Sequence, residues 1–221
     1  MIKYNESKII KRDKGSVVGI VLGMVMIMRN VIFDIGSVLV EFDPERFFCE
    51  RFANEHMEEV CPLIFDDIWA GTDRGDYLCA VAQRMHHERY PQYRKQIDLI
   101  YAHWMEMMTL KEESVAYLKE CRKHGYRVYL LSNIGKESYE YLRERYAFFQ
   151  MVDGMTLSFE ERCIKPEPQI YQALLTRWRL SAADCVFFDD QPRNIQTAIR
   201  LGMRGIVFEN IEQARKEAAL W

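Results

Sequence analysis

The stretch Val31-Ile32-Phe33-Asp34-Ile35-Gly36-Ser37-Val38-Leu39 limits what this chain can fold into more than any other. An apolar, β-branched run meets a single Asp, and a Gly follows two positions later. The run is too short for an ordinary helix and has the composition of a strand buried on both faces. A carboxylate ending such a strand lies on the rim of a parallel sheet, the edge where open α/β folds bind ligands. The same residues also fit a strand followed by an Asp that merely caps a helix, so the stretch acquires meaning only from its companions.

Two further apolar runs end in polar residues of suitable type. Arg127-Val128-Tyr129-Leu130-Leu131 reaches Ser132-Asn133, and Cys185-Val186-Phe187-Phe188 reaches Asp189-Asp190. Lys165-Pro166-Glu167-Pro168 lies between them. Strands alternating with helices imply a parallel sheet whose strand ends share one edge. Asp34, Ser132 and the Asp189-Asp190 pair are therefore expected to converge. Clustered carboxylates raise one another's pKa, and a divalent cation relieves the repulsion. Oxygen-only donors suit Mg²⁺, which keeps waters and accepts a substrate phosphate.

The remaining elements follow from spacing and punctuation. Asp43-Pro44 reads as a helix start, with Asp as N-cap and Pro in the first turn. Helical spacing then runs from Glu45 to about Met108, with breaks expected near Cys61-Pro62, Gly71 to Gly75 and Tyr90-Pro91, giving about four helices and no strand. Further helices are expected from Glu112 to His124, Lys136 to Tyr146, Pro166 to Arg179 and Pro192 to Leu201. Short strands are expected within Met151 to Phe159 and from Gly205 to Phe208.

Composition narrows the class. A net charge of −3 without a basic cluster speaks against nucleic-acid binding. The cysteines (Cys49, Cys61, Cys79, Cys121, Cys163, Cys185) show no CxxC spacing and sit among apolar neighbours, as reduced cytoplasmic thiols do. Lys8, Lys11, Arg12 and Lys14 precede an apolar run from Val17 to Met28, which imitates a signal peptide without a small-residue cleavage site. That run is shorter than the about 20 residues a membrane helix needs. Residues 1–28 are read as an extension outside the fold, with no membrane partner.

With these motifs in order from residue 31 to about 210, the sequence resembles the haloacid dehalogenase (HAD) superfamily of aspartyl phosphatases and related hydrolases. It is most similar to the subgroup with a helical cap, including bacterial sugar-phosphate phosphatases of the glucose-1-phosphate type. The resemblance implies a Rossmann-like α/β core over 29–43 and 110–221 and an all-helical cap over 44–109. It implies Asp34 as nucleophile, Ser132 with Asn133 holding a phosphate oxygen, and Lys165 neutralising nucleophile and phosphoryl group. It also implies Mg²⁺ held by Asp34, the Gly36 carbonyl and Asp190, with Asp189 as ligand or support. The substrate would be a small phosphorylated metabolite, most readily a sugar phosphate, and the protein a monomer or homodimer.

Family phosphatases usually place a second Asp, the general acid and base, where this chain has Gly36. Such groups contribute about 10²–10⁴-fold. Its absence predicts a preference for good leaving groups such as sugar 1-phosphates. Alternatives are a dehalogenase, which also lacks that Asp but carries no Asp pair in the last motif, and a phosphate-binding protein with little turnover. Trp69, Arg74, His103 and Trp104 are cap residues considered for the site.

Overall fold

The computed structural model describes residues 18–21, 24–27, 29–53 and 55–221. Its first strands, β1 (Val18–Val21) and β2 (Met24–Ile27), form an antiparallel pair of their own. They fall within residues 1–28, expected from the sequence to be an extension, and most of that span lies outside the described residues. No helix among the described residues is long and apolar enough to cross a membrane.

The main sheet begins at β3 (Asn30–Phe33), whose four residues are all buried. Alternate side chains enter two cores. Val31 and Phe33 join one hydrophobic cluster, and Ile32 joins the other on the opposite face. This two-sided burial is why the run is apolar throughout.

From β3 the chain makes a short excursion, in which Leu39 and Glu41 pair with Lys111 and Thr109 by backbone hydrogen bonds of 2.9 and 2.7 Å. The outgoing and returning connections of a helical insertion thus lie side by side. The insertion holds α1 (Pro44–Arg51), α2 (Met57–Ile64), α3 (Asp67–Arg74), α4 (Cys79–Arg89) and α5 (Arg94–His103). Asp43 caps α1 by accepting the Arg46 N–H at 3.1 Å, with Pro44 in the first turn. The expected break at Cys61-Pro62 does not occur, because Pro62 sits inside α2. In an eight-residue helix it removes only one hydrogen bond, and buried Met57, Val60, Cys61 and Ile64 hold the helix against the core. Breaks fall instead between Arg51 and Met57 and at Phe65-Asp66, so the insertion has five α-helices among the described residues. Gly71 likewise continues α3, while Gly75, at φ 78°, ends it.

The chain returns through α6 (Glu112–Lys123) and β4 (Arg127–Ser132), then α7 (Lys136–Arg145) and β5 (Gly154–Leu157). The one-turn α8 (Ser158–Glu161), α9 (Pro168–Arg177) and β6 (Cys185–Asp189) follow. α10 (Pro192–Arg200), β7 (Arg204–Val207) and α11 (Ile211–Ala218) complete the fold. The sequence pattern gave no warning of α11, which Asn210 caps by accepting the Gln213 N–H at 2.9 Å.

The main sheet runs β5-β4-β3-β6-β7, and every pairing is parallel. This is a Rossmann-like α/β sheet with flanking helices. β3 lies between β4 and β6, so the chain first winds to one side and then to the other, leaving a crevice at the switch point. Register fixes what meets there. Phe33 is level with Leu130 and Phe188, so Asp34 comes level with Leu131 and Asp189. The Phe33 and Phe188 rings stack at 5.2 Å, and the Asp34 N–H donates to the Phe188 carbonyl at 2.9 Å.

Candidate active site

Four side chains foreseen from the sequence meet at the carboxyl ends of β3, β4 and β6. Lys165, which precedes α9, is buried with its ammonium between two carboxylates. Its Nζ lies 2.8 Å from Asp34 Oδ1 and 2.6 Å from Asp189 Oδ2, and donates to the Leu131 carbonyl at 3.1 Å. Carboxylate oxygens of Asp34, Asp189 and Asp190 all lie within 4.8 Å of one another.

The three carboxylates differ in what satisfies them. Asp189 is fully buried, and both oxygens are engaged. Oδ1 accepts the Gln191 N–H at 2.8 Å and Asn194 Nδ2 at 2.9 Å, while Oδ2 takes Lys165 and Asn194. Asp34 Oδ1 accepts from Lys165 and from the Ile35 N–H at 2.7 Å. Asp190 is half-buried, and its carboxylate accepts from the Gln191 side chain at 2.7 Å.

Burial first, then the neighbouring Asp189 and Asp190, push the Asp34 carboxyl up to about 7 against the opposing pull of Lys165. Burial likewise raises the Asp190 carboxyl. Burial alone would lower Lys165, but Asp189 and Asp34 outweigh it and hold the ammonium above its ordinary value. One lysine cannot neutralise three carboxylates, so the cluster is short of positive charge.

Ser132 ends β4, and among the described residues its hydroxyl makes only a long 3.5 Å contact with the Asn133 carbonyl. Asn133 clamps the lysine's backbone. Its Oδ1 accepts the Lys165 N–H at 2.7 Å, and its Nδ2 donates to the Lys165 carbonyl at 3.0 Å. Asp34, Gly36, Ser132, Asn133, Lys165 and Asp190 all line a cavity of about 540 Å³. Phe42, Phe65, Trp69, Met108 and Leu142 also line it.

The four cap residues considered from the sequence divide. Trp69 lines the cavity. Arg74 turns to Glu167 at 2.8 Å, His103 pairs with Glu106 at 2.6 Å, and Trp104 is buried against Trp69. The sequence reading missed Asn194, which reads as an ordinary residue of a helix's first turn. It also missed Asp73, at the end of α3, which lines the cavity as well.

The geometry has a counterpart in sequence comparison, where a profile described as haloacid dehalogenase-like hydrolase matches residues 28–202. The chain belongs to this hydrolase family. It is 24% identical over 178 residues to the "Sesquiterpene phosphatase astK" of Aspergillus oryzae, spanning 80% of this chain and 88% of the relative. It is 26% identical to "Phosphatase MT3486" of Mycobacterium tuberculosis, spanning 86% and 91%. The HAD family enzyme bt-2542 of Bacteroides thetaiotaomicron, solved with magnesium and inorganic phosphate, shares the fold with a TM-score of 0.67. It is 24% identical, with 82% of this chain and 94% of that one covered.

Proposed function

We propose that this HAD-like hydrolase is a Mg²⁺-dependent phosphatase that cleaves a small phosphate monoester through an aspartyl-phosphate on Asp34. The observation carrying the proposal is the placement of the Lys165 ammonium between Asp34 and Asp189, with Asp190 close by. The donor set fits Mg²⁺, since the clustered atoms are all carboxylate oxygens and one lysine leaves negative charge in excess. Asp34, the Gly36 carbonyl and Asp190 would hold the ion. Asp189, whose oxygens are already taken, anchors Lys165 instead. Bound there, Mg²⁺ supplies charge neutralisation between the carboxylates and an incoming phosphate dianion.

The chain's own residues do the rest. Asp34 presents a carboxylate oxygen to phosphorus, as carboxylate nucleophiles do. Lys165 offsets charge on nucleophile and phosphoryl group, and Ser132 with the Asn133 N–H holds a phosphate oxygen. Residues 44–109 act as a cap over a core of 29–43 and 110–221, and 1–28 is an extension outside it. The Asp189-Asp190 pair favours phosphoryl transfer over dehalogenation, which needs no cation.

The leaving group would lie against Phe42, Phe65, Trp69, Met108 and Leu142. That wall suits an aryl or apolar alkyl alcohol, and the Aspergillus relative named as a sesquiterpene phosphatase agrees with it. Sugar phosphates, expected from the sequence, are the second reading. A screen of aryl, prenyl and sugar phosphates with Mg²⁺ and with EDTA tests both. Turnover of any of them only with Mg²⁺ supports phosphatase action. Full turnover in EDTA would overturn it, and the order of rates chooses the leaving group.

A further inference from the structure

Gly36 leaves the site without the carboxyl group that would protonate a departing oxygen. The carboxylates lining the cavity are Asp34, Asp66, Asp67, Asp73 and Asp190. Asp34 and Asp190 belong to the cluster already described. Asp66 is spent: Oδ1 caps α3 through the N–H groups of Ile68 and Trp69 and meets His86 Nε2 at 3.0 Å, and Oδ2 takes Arg89 at 2.6 Å. Asp67 is well exposed and paired with the same Arg89 at 2.6 Å, and that bond holds its carboxyl down at about 2. It carries no proton at neutral pH.

Asp73 remains. It forms no ion pair among the described residues, and its neighbour Arg74 is engaged by Glu167 and Asp76. The Asp73 carboxylate accepts the N–H of Gly135, the N-cap residue just before α7, and feels the charge of Lys165. Its backbone is fixed to the core, because Ser158 Oγ donates to the Asp73 carbonyl at 2.6 Å while accepting the Ile134 N–H at 2.8 Å. Two residues on, Gly75 packs so tightly that a Cβ would come 2.6 Å from the Phe159 carbonyl oxygen. These contacts hold the end of α3 against the sheet edge and keep the Asp73 carboxyl on the cavity that Asp34 shares.

We propose that Asp73 is the catalytic acid and base of this site, supplied by the helical insertion in place of the carboxyl missing at Gly36. The assignment rests on the phosphatase reading. As Asp34 attacks phosphorus and the ester P–O bond breaks, the Asp73 carboxyl gives its proton to the departing alkoxide. The products are the free alcohol, the aspartyl-phosphate and the Asp73 carboxylate. Water then attacks phosphorus, Asp73 takes its proton, and the bond to Asp34 breaks to release phosphate. Both carboxyls return to their starting forms. Burial pushes the Asp73 carboxyl up to about 7, which lets it carry and lose a proton near neutral pH.

The test compares full-length wild type and Asp73→Asn with Mg²⁺ on an alkyl phosphate and on p-nitrophenyl phosphate, whose leaving group departs unprotonated. Asn still accepts the Gly135 N–H but transfers no proton. The expected result is a fall of about 10²–10⁴ in kcat/KM for the alkyl ester and under about tenfold for the aryl ester. A nitrophenol burst should also appear that wild type lacks, because the second step has lost its base. An equal fall on both esters, or no fall on either, in a variant with the wild-type melting temperature would overturn the assignment. If Asp73→Asn does not fold, Asp73→Glu is compared with Asp73→Gln, and equal leaving-group dependence in that pair overturns it too. If folded wild type cleaves neither ester, the phosphatase reading itself is wrong and this role falls with it.

Discussion

Lys165 Nζ lies closer to Asp189 (2.6 Å) than to Asp34 (2.8 Å). Asp189 is also the carboxylate that Gln191 and Asn194 saturate. The buried lysine is thus anchored from β6 and presented to Asp34 at the end of β3. On Asp34 the lysine and the Ile35 N–H both meet Oδ1, while Asp189 offers the lysine its Oδ2.

Removing the lysine should therefore do more than slow catalysis. Lys165→Met leaves buried carboxylates without their counter-charge, and breaking a buried pair in this way costs about 3–5 kcal/mol. Metal-free variant should melt well below wild type in calorimetry, and saturating Mg²⁺ should recover part of the gap. Turnover should be lost in either case.

The Asn194→Ala variant separates support from chemistry. It leaves Asp189 with the Gln191 N–H and Lys165 only. A lost hydrogen bond to a buried charged group costs about 1.5–3 kcal/mol. Denaturant unfolding should show that loss, with kcat reduced and KM little changed, since Asn194 serves the lysine's anchor and not the substrate.

The raised Asp34 carboxyl makes a prediction about pH. Its folded value of about 7 lies above the ordinary 3.8, so the folded state binds the proton more tightly than the unfolded state. Its stabilising contribution is present below 3.8 and is lost as pH rises through 7. Asp34→Asn removes this dependence. In metal-free protein, the melting temperature of Asp34→Asn relative to wild type should rise from pH 5 to about pH 8. A flat difference would show that Asp34 ionises normally.

Gly36 offers a way to move the acid. A Cβ built there meets Phe42 Cβ at 3.8 Å, an ordinary contact, so the first atom of a side chain is accommodated. Gly36→Asp in the wild-type background should change alkyl phosphate turnover little, because Asp73 already supplies the proton. Added to Asp73→Asn, it should restore alkyl turnover. Steady-state rates of the four proteins on one alkyl ester measure this.

The strands and their polar ends were legible because β3, β4 and β6 are buried on both faces, which forces apolar runs that stop where the edge begins. Asp34, Ser132 and the Asp189-Asp190 pair accordingly stand at the ends of β3, β4 and β6, whereas Lys165 ends no strand and was pointed to by the family resemblance alone. Pro62 misled because proline near the end of a short helix costs one hydrogen bond, which the packing of Met57, Val60, Cys61 and Ile64 outweighs. α11 was missed because its buried stripe, Ile211, Ala214 and Ala218, is mostly alanine and gives a faint apolar signal. Asp73 was invisible for another reason. Its place depends on Gly135 and Ser158, distant in sequence, and no local pattern records that contact.

The proposed phosphatase chemistry requires that Asp34 carry the phosphoryl group. Its most direct test is a rapid acid quench of the enzyme during turnover of an aryl phosphate with Mg²⁺, followed by peptide mapping by mass spectrometry. The account predicts one phosphoryl group on the peptide containing Asp34, absent in EDTA and absent from Asp34→Asn, which should be folded and inactive. Undiminished turnover by Asp34→Asn, or a phosphoryl group found on another residue, would contradict it.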